Sequence, residues 1–160
     1  MTGPARLRLA VHEDLPSLTE IAWLAKSSWG YPRSWLESVR AELTLQPAQL
    51  LTARVMVAEA DGQALGFYVL TPREPEWELD HLWVHPRAQR GGLGTMLVRD
   101  AQSQAAAADR RGLRIDADPH AESFYTRMGA ARVGAIAAPL PGEPERVRPQ
   151  LWLPSVAPSS

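Results

Sequence analysis

The chain has 160 residues, 45% of them hydrophobic, which is enough for one domain with a real core and too few for two comfortable ones. Its 17 basic residues against 18 acidic ones leave a formal charge of -1, so no global field draws it onto nucleic acid or an anionic membrane. With no cysteine, a disulfide framework, a thiolate zinc site and a cysteine nucleophile are all excluded.

The opening MTGPARLRLAV lacks a charged segment followed by a long apolar core, and no later run approaches the ~18 apolar residues of a membrane span. The expected location is therefore the cytoplasm. Arg6 to Val11 alternates Leu7, Leu9 and Val11 with Arg6, Arg8 and Ala10, the period of a half-buried strand. Asp14 is the expected N-cap of a first helix, with Pro16 in its first turn and Leu15, Leu18, Ile21, Ala22 and Ala25 at helical spacing up to Gly30 and Pro32. Ser34 is the expected cap of a second helix through Trp35, Val39 and Leu43. Trp29, Tyr31 and Trp35 cluster around the break between the two.

Arg54 to Glu59 and Ala64 to Leu70 are β-rich runs joined across Asp61-Gly62, a dipeptide that favours a tight hairpin because both positions accept positive φ. A third strand follows Pro75. It carries Glu76, Glu78, Asp80, Leu82 and Val84 on one face, Trp77, Leu79, His81 and Trp83 on the other, and ends at His85-Pro86. After QRGGLG (89 to 94), Leu93, Met96, Leu97, Ala101, Gln104 and Ala105 predict a helix to about Arg111, stopped by Gly112. Arg114 to Asp116 reads as a strand, Ala121 to Met128 as a helix closed by Gly129, Arg132 to Ala137 as a strand, and Gln150 to Leu153 as a last one. Six of the 22 residues from Pro139 onward are proline, which predicts an irregular tail with residues 156–160 disordered. The element order is α+β, one domain over residues 1–155.

A strand-to-helix turn rich in glycine exposes backbone N–H groups at the positive end of the helix dipole, and so suits an anion. The dinucleotide fingerprint fails here because Gly92-Leu-Gly94-Thr-Met is followed by Leu97. The nucleotide P-loop fails because no lysine follows Gly94.

Gln89, Gly92 and Gly94 fill the defined positions of a Q/R-x-x-G-x-G/A signature, and LWVHPRAQRGGLGTMLVRDA resembles the central strand, Val-x-Pro exit, pyrophosphate loop and helix of the GCN5-related N-acetyltransferases. ADPHAESFYTRMG (117 to 129) is similar to that family's later motif, with its Phe-Tyr pair and closing glycine. The resemblance covers residues 6 to 153. It implies a mixed, mostly antiparallel central sheet flanked by helices, and acetyl-CoA as cosubstrate. Carried over, Gln89, Arg90, Gly91, Gly92, Leu93, Gly94 and Thr95 would surround the pyrophosphate. Leu82, Trp83 and Val84 would complete the cofactor site, Leu82 and Val84 along the pantetheine arm, with Arg87 and Arg90 as added charge.

Acyl transfer to an amine needs a base, since an ammonium is not nucleophilic, and an acid for the departing thiolate. Glu78 and Asp80 share the strand face of Leu82 and Val84. Glu78 lies 11 residues before Gln89, which matches the glutamate base of the family's histone-type members, while Asp80 and His81 remain alternatives. Tyr125 matches the family's thiolate-protonating tyrosine, and a backbone N–H near Leu82 would stabilise the oxyanion. Trp29, Tyr31 and Trp35 fall in the segment that in this family shapes the acceptor pocket, where an aromatic wall suits an apolar or cationic amine. The histidines form no compact metal-ligand set. The expected activity is transfer of an acetyl group to a primary amine of a small molecule, peptide or protein by direct attack in a ternary complex, with a homodimer as a further expectation. A non-catalytic acyl-CoA sensor, keeping Gln89 to Gly94 without needing Glu78 or Tyr125, is the rival, and a nucleic-acid binder built on scattered arginines is disfavoured by the net charge.

Overall fold

Helical spacing in the first thirty residues translates directly into a buried stripe. In a computed structural model that describes residues 3–155, α1 runs Leu15–Ser27 with Pro16 in its first turn, and Leu15, Leu18, Ile21, Ala22 and Ala25 are its buried residues. Asp14 precedes the helix but does not cap it. Its carboxylate is taken by Arg8, through bonds of 2.8 Å to each oxygen, and by the Val11 amide at 2.7 Å. A bidentate guanidinium outcompetes a single first-turn amide. The strand before it, β1, is shorter than the alternation predicts, Arg6–Leu9, and Leu9 and Val11 are 56% and 53% exposed.

The second predicted helix is broken. It appears as α2, Arg33–Ser38, and α3, Arg40–Leu43, with Val39 between them at φ -107° and ψ 10°. Ser38 turns its hydroxyl back onto the Trp35 carbonyl, the local side-chain bond that competes with a continuing ladder. A further short helix that the sequence pattern does not signal, α4, spans Gln49–Thr52 just after Pro47.

β2, Arg54–Ala60, and β3, Gln63–Thr71, form the expected hairpin. Asp61 and Gly62 both take positive φ, 53° and 75°, as a two-residue turn of this hand requires. Val55 and Val57 on β2 and Phe67 and Val69 on β3 join Leu15, Leu18, Ile21, Ala22, Leu43 and Leu45 in one buried cluster. β4 spans Trp77–Val84.

The helix after the glycines, α5, runs Leu93–Ala107 and stops earlier than Gly112 would have it. Asp109 supplies the left-handed reversal at φ 60°, and the Arg110 amide reaches back to the Ala105 carbonyl at 2.9 Å, a Schellman-type closure. Gly112 instead opens β5, Gly112–Asp116. A Cβ there would stand 2.5 Å from the Trp152 indole, so the ring occupies the space that a side chain would need. Then come α6, Glu122–Arg127, β6, Ala131–Ala137, and β7, Val147–Pro154. β7 is twice the predicted length and lies between β5 and β6. Pro149 stands one residue beyond the last β5 pair, Asp116↔Gln150, so its missing N–H breaks no bond on that side.

Along the sheet the strands follow the order β1-β2-β3-β4-β5-β7-β6. The β4–β5 pair is parallel, whereas β1–β2, β2–β3, β5–β7 and β6–β7 are antiparallel, so the expected mixed, mostly antiparallel α+β architecture is borne out. By packing, the described residues divide into two units. One runs to Thr71 and resumes over His81–Leu97, and the other comprises Pro72–Asp80 and continues from Val98. The hairpin cluster is the core of the first. In the second, Leu113, Ile115, Leu151 and Leu153 are buried alongside Val98, Ala101 and Ala105, and buried Gln102 donates to the Pro154 carbonyl at 2.7 Å. The expected disorder of residues 156–160 lies outside the described residues. No helix among those described is long and apolar enough to cross a membrane.

Candidate active site

In the first unit the exit of β4 is fixed before the glycines begin. The His85 amide donates to the Leu65 carbonyl at 2.7 Å and the Ala88 amide to the His85 carbonyl at 2.8 Å, closing a single turn over Pro86–Ala88. Gln89 folds its side-chain amide back onto the Val84 carbonyl at 3.3 Å, so its side chain ties the loop to the strand. Arg90 and Gly92 then adopt left-handed backbone at φ 77° and 80°. The Met96 amide makes a helical bond to the Gly92 carbonyl at 3.0 Å, and the first-turn amides before it have no partner within the helix. No acidic residue occupies that turn, which leaves the positive end of a fifteen-residue helix unopposed. Alternating left-handed residues at such an end make an anion-binding concavity.

Gly66 on β3 backs this turn. A Cβ there would stand 3.0 Å from the Trp83 carbonyl, 3.3 Å from Leu97 Cδ1 and 3.4 Å from Val84 Cγ2, so the glycine allows the close approach of β3 to the strand that delivers the loop. Beside the loop a cleft of about 470 Å³ is lined by Asp61, Gln63, Arg87, Gln89, Gly91 and Leu93, among others. Arg87 crosses it to the Gln63 carbonyl oxygen at 2.6 Å.

The three aromatic residues expected to shape an acceptor pocket do come together, and two further residues join them. Tyr31 and Trp35 stack tilted at 4.6 Å between centroids, and Trp29 packs on Trp83 at 5.5 Å. The Lys26 ammonium lies over the rings of Trp35, Tyr31 and Trp83, at 5.3, 5.6 and 5.9 Å from their centroids, within cation–π range of all three. The Trp83 indole N–H donates to His81 Nδ1 at 3.1 Å, which in a neutral imidazole leaves the ring proton on Nε2. Because the Trp83 side chain is committed to this box, only its backbone is left for the cofactor role expected of it.

In the second unit the β4–β5 ladder has two registered pairs, Trp77↔Leu113 and Glu78↔Arg114, although β5 continues to Asp116. Glu78 and Asp80 point to one face of β4 and share one cation. Arg73, from the connection before the strand, lies 3.2 Å from Asp80 and 3.6 Å from Glu78. Tyr125, on α6, is 5% exposed and meets Phe124 edge-on at 5.2 Å. Burial pushes its phenol well above the ordinary tyrosine range, so the hydroxyl keeps its proton at neutral pH and remains a donor.

The contiguous loop residues Gln89 to Thr95 thus form a defined turn, the aromatic residues form a box, and the two carboxylates form a pair. Sequence reasoning missed Lys26, Arg73 and Gly66. The reach of Arg73 depends on the path of the β3–β4 connection, which leaves no periodic signal. Lys26 had one, as the chain's single lysine beside sixteen arginines and three residues before the aromatic segment.

The whole-chain architecture is similar to solved acetyltransferase structures. A GCN5-related N-acetyltransferase from Rhodopseudomonas palustris superposes with a TM-score of 0.76 at 20% identity, over 96% of this chain and 98% of its own. The PaiA N-acetyltransferase from Thermoplasma acidophilum, in complex with coenzyme A, gives 0.72 at 18% identity over 95% and 99%. A GNAT-family acetyltransferase from Brucella melitensis, in complex with acetyl-CoA, gives 0.62 at 20% identity over 98% and 90%. No curated protein matches the chain. Residues 52–129, which contain β4, the glycine turn and Tyr125, match the family model described as an acetyltransferase (GNAT) domain. The chain belongs to the GNAT family of acetyltransferases.

Proposed function

We propose that the chain is an acetyl-CoA-dependent N-acetyltransferase that acts on a primary amine of a small molecule, peptide or protein by direct attack in a ternary complex, and that residues 1–155 serve as one catalytic domain. The observation that carries this reading is the left-handed pair Arg90 and Gly92 at the unopposed N-terminus of α5, a cradle suited to a pyrophosphate. Acetyl-CoA, bound in the related structures, supplies the activated thioester.

Arg90 to Thr95 hold the anion through backbone N–H groups, with Gln89 bracing the turn. Leu82 and Val84 line the pantetheine arm, and a β4 amide near Leu82 receives the developing oxyanion. Glu78, or Asp80 beside it, takes the proton that the attacking amine must shed. Tyr125, protonated at neutral pH, hydrogen-bonds the leaving sulfur and returns a proton to it, so that the proton gained by one group balances the proton lost by the other. Trp29, Tyr31 and Trp35 form the acceptor-side wall.

The test is an amine-library screen with a free-thiol readout, beside isothermal titration of acetyl-CoA. Thiol release that depends on both acetyl-CoA and a particular amine is the expected result. Binding with no release for any amine would make the protein an acyl-CoA sensor, and no binding at millimolar concentration would remove the cofactor assignment altogether.

A further inference from the structure

Only one side chain in this chain belongs to the chemical class that the proposed reaction consumes. Lys26 is the sole lysine among seventeen basic residues. The sixteen arginines carry guanidinium groups that stay protonated at any working pH and are not acceptors. Lys26 is half-buried in the last turn of α1, at the start of the segment that carries Trp29, Tyr31 and Trp35. Its Nζ is 5.9 Å from the centroid of Trp83, a β4 residue adjacent to Leu82, whose amide is assigned to the oxyanion. The rings of Tyr31 and Trp35 hold the same ammonium from the helix side.

We infer that Lys26 is an acceptor in cis: without an external amine the enzyme acetylates its own Lys26. The inference rests on the acetyl-CoA reading above. In the step, the free-amine lone pair of Nζ attacks the thioester carbonyl carbon. A C–N bond forms and the C–S bond breaks, nitrogen loses one proton and sulfur gains one, and the products are Nε-acetyl-lysine and the CoA thiol. Tethering is what makes the reaction available, because a group held beside the reacting carbon needs no bimolecular encounter. The rings restrain it, because they attract the ammonium and the attacking form is the free amine, so the modification is slow and accelerates as pH rises. Its consequence is built into the box. An acetamide carries no charge, so the attraction to three rings is lost together with the cation that sat among the acceptor-wall aromatics.

The experiment incubates the full chain with acetyl-CoA and no acceptor, then maps tryptic peptides. Acetylation at Lys26 blocks cleavage there and yields the peptide 9–33, heavier by one acetyl group. The expected rate is at least about tenfold above that of Gly92→Trp, whose cofactor cradle is obstructed, with a tryptophan fluorescence change that follows the modification and is absent in Lys26→Arg. Equal rates in the wild type and Gly92→Trp would reduce the reaction to solution chemistry and overturn the inference. Acetyl-CoA binding by titration with Lys26 unmodified would overturn it too, while leaving the proposed function standing. Absence of acetyl-CoA binding would instead sink the proposed function itself.

Discussion

Arg73 Nη2 lies 3.2 Å from Asp80 Oδ2, and the same guanidinium is 3.6 Å from Glu78, so one cation serves both carboxylates on the β4 face that also carries Leu82 and Val84. The two carboxylates are therefore neighbours in one electrostatic environment and separable only by substitution. Glu78→Gln is expected to lower kcat by about 100-fold, the size of a lost general base, and Asp80→Asn by less than about tenfold, with acetyl-CoA affinity unchanged in both. Steady-state thiol release measures this, and the reverse order would assign the base to Asp80. Arg73→Met, in a half-exposed pair, should change unfolding free energy by no more than about 1 kcal/mol.

Tyr125 carries two expectations. Replacing it by phenylalanine should reduce kcat by roughly 10 to 100-fold, at the lower end of acid–base contributions, while acetyl-CoA affinity by titration stays within about twofold because no assigned cofactor contact is removed. Full activity in Tyr125→Phe would free the tyrosine of its role. The raised phenol also sets an alkaline trend. Above the ordinary tyrosine pKa of about 10 the unfolded chain loses a proton that the folded chain keeps, so this contribution is intact below that pH and declines as pH rises beyond it. Denaturant unfolding from pH 9 to 11 should show a shallower decline in Tyr125→Phe.

Gly92 has φ 80° and open space where a Cβ would stand, so a side chain meets no packed neighbour and is penalised only by the backbone. Gly92→Trp should cost about 1–2 kcal/mol of stability, the left-handed penalty of a non-glycine residue, yet abolish acetyl-CoA binding by occupying the cradle. Cooperative thermal unfolding with wild-type affinity would make the loop structural only.

Away from the site, Arg8 joins two acids, Asp14 at 2.8 Å and Glu59 at 2.7 Å. Hydrogen bonding to the guanidinium holds both carboxyls below their ordinary range. The linked stability is present in full above about pH 4.5, where even the unfolded acids are ionised, and is lost as pH falls through the depressed folded values. Arg8→Met should lower the melting temperature at pH 7 and flatten its fall between pH 4 and 2, measured by circular dichroism.

Elements governed by local periodicity were legible before the structure. The α1 stripe was read residue for residue, the hairpin followed from Asp61-Gly62, and QRGGLG announced the one strongly positive turn. What failed were outcomes decided by competition. Asp14 was claimed by Arg8 from another element, Ser38 interrupted the second helix from within, and Asp109 ended α5 before Gly112 was reached. Gly112 answers to Trp152, forty residues away in sequence, and no window centred on either residue contains the other. The site followed the same rule. The loop and aromatic segment are contiguous and were found, whereas Lys26 over the box and Arg73 across the carboxylates depend on how the chain folds back.

β6 carries one further consequence. All seven of its residues are exposed, Val133 by 55% and Ile136 by 42%, and it lies at the end of the sheet. Its single charge, Arg132, is held by Glu122 at 2.6 Å. A straight apolar edge of this kind templates pairing between molecules, and a net charge of -1 offers little repulsion to prevent it. The register shift between Arg132 and Gly134 bends and twists the strand where such pairing would have to propagate. Colloidal behaviour at high concentration is therefore governed by one irregular step in the ladder, and Gly134 helps keep the molecules apart.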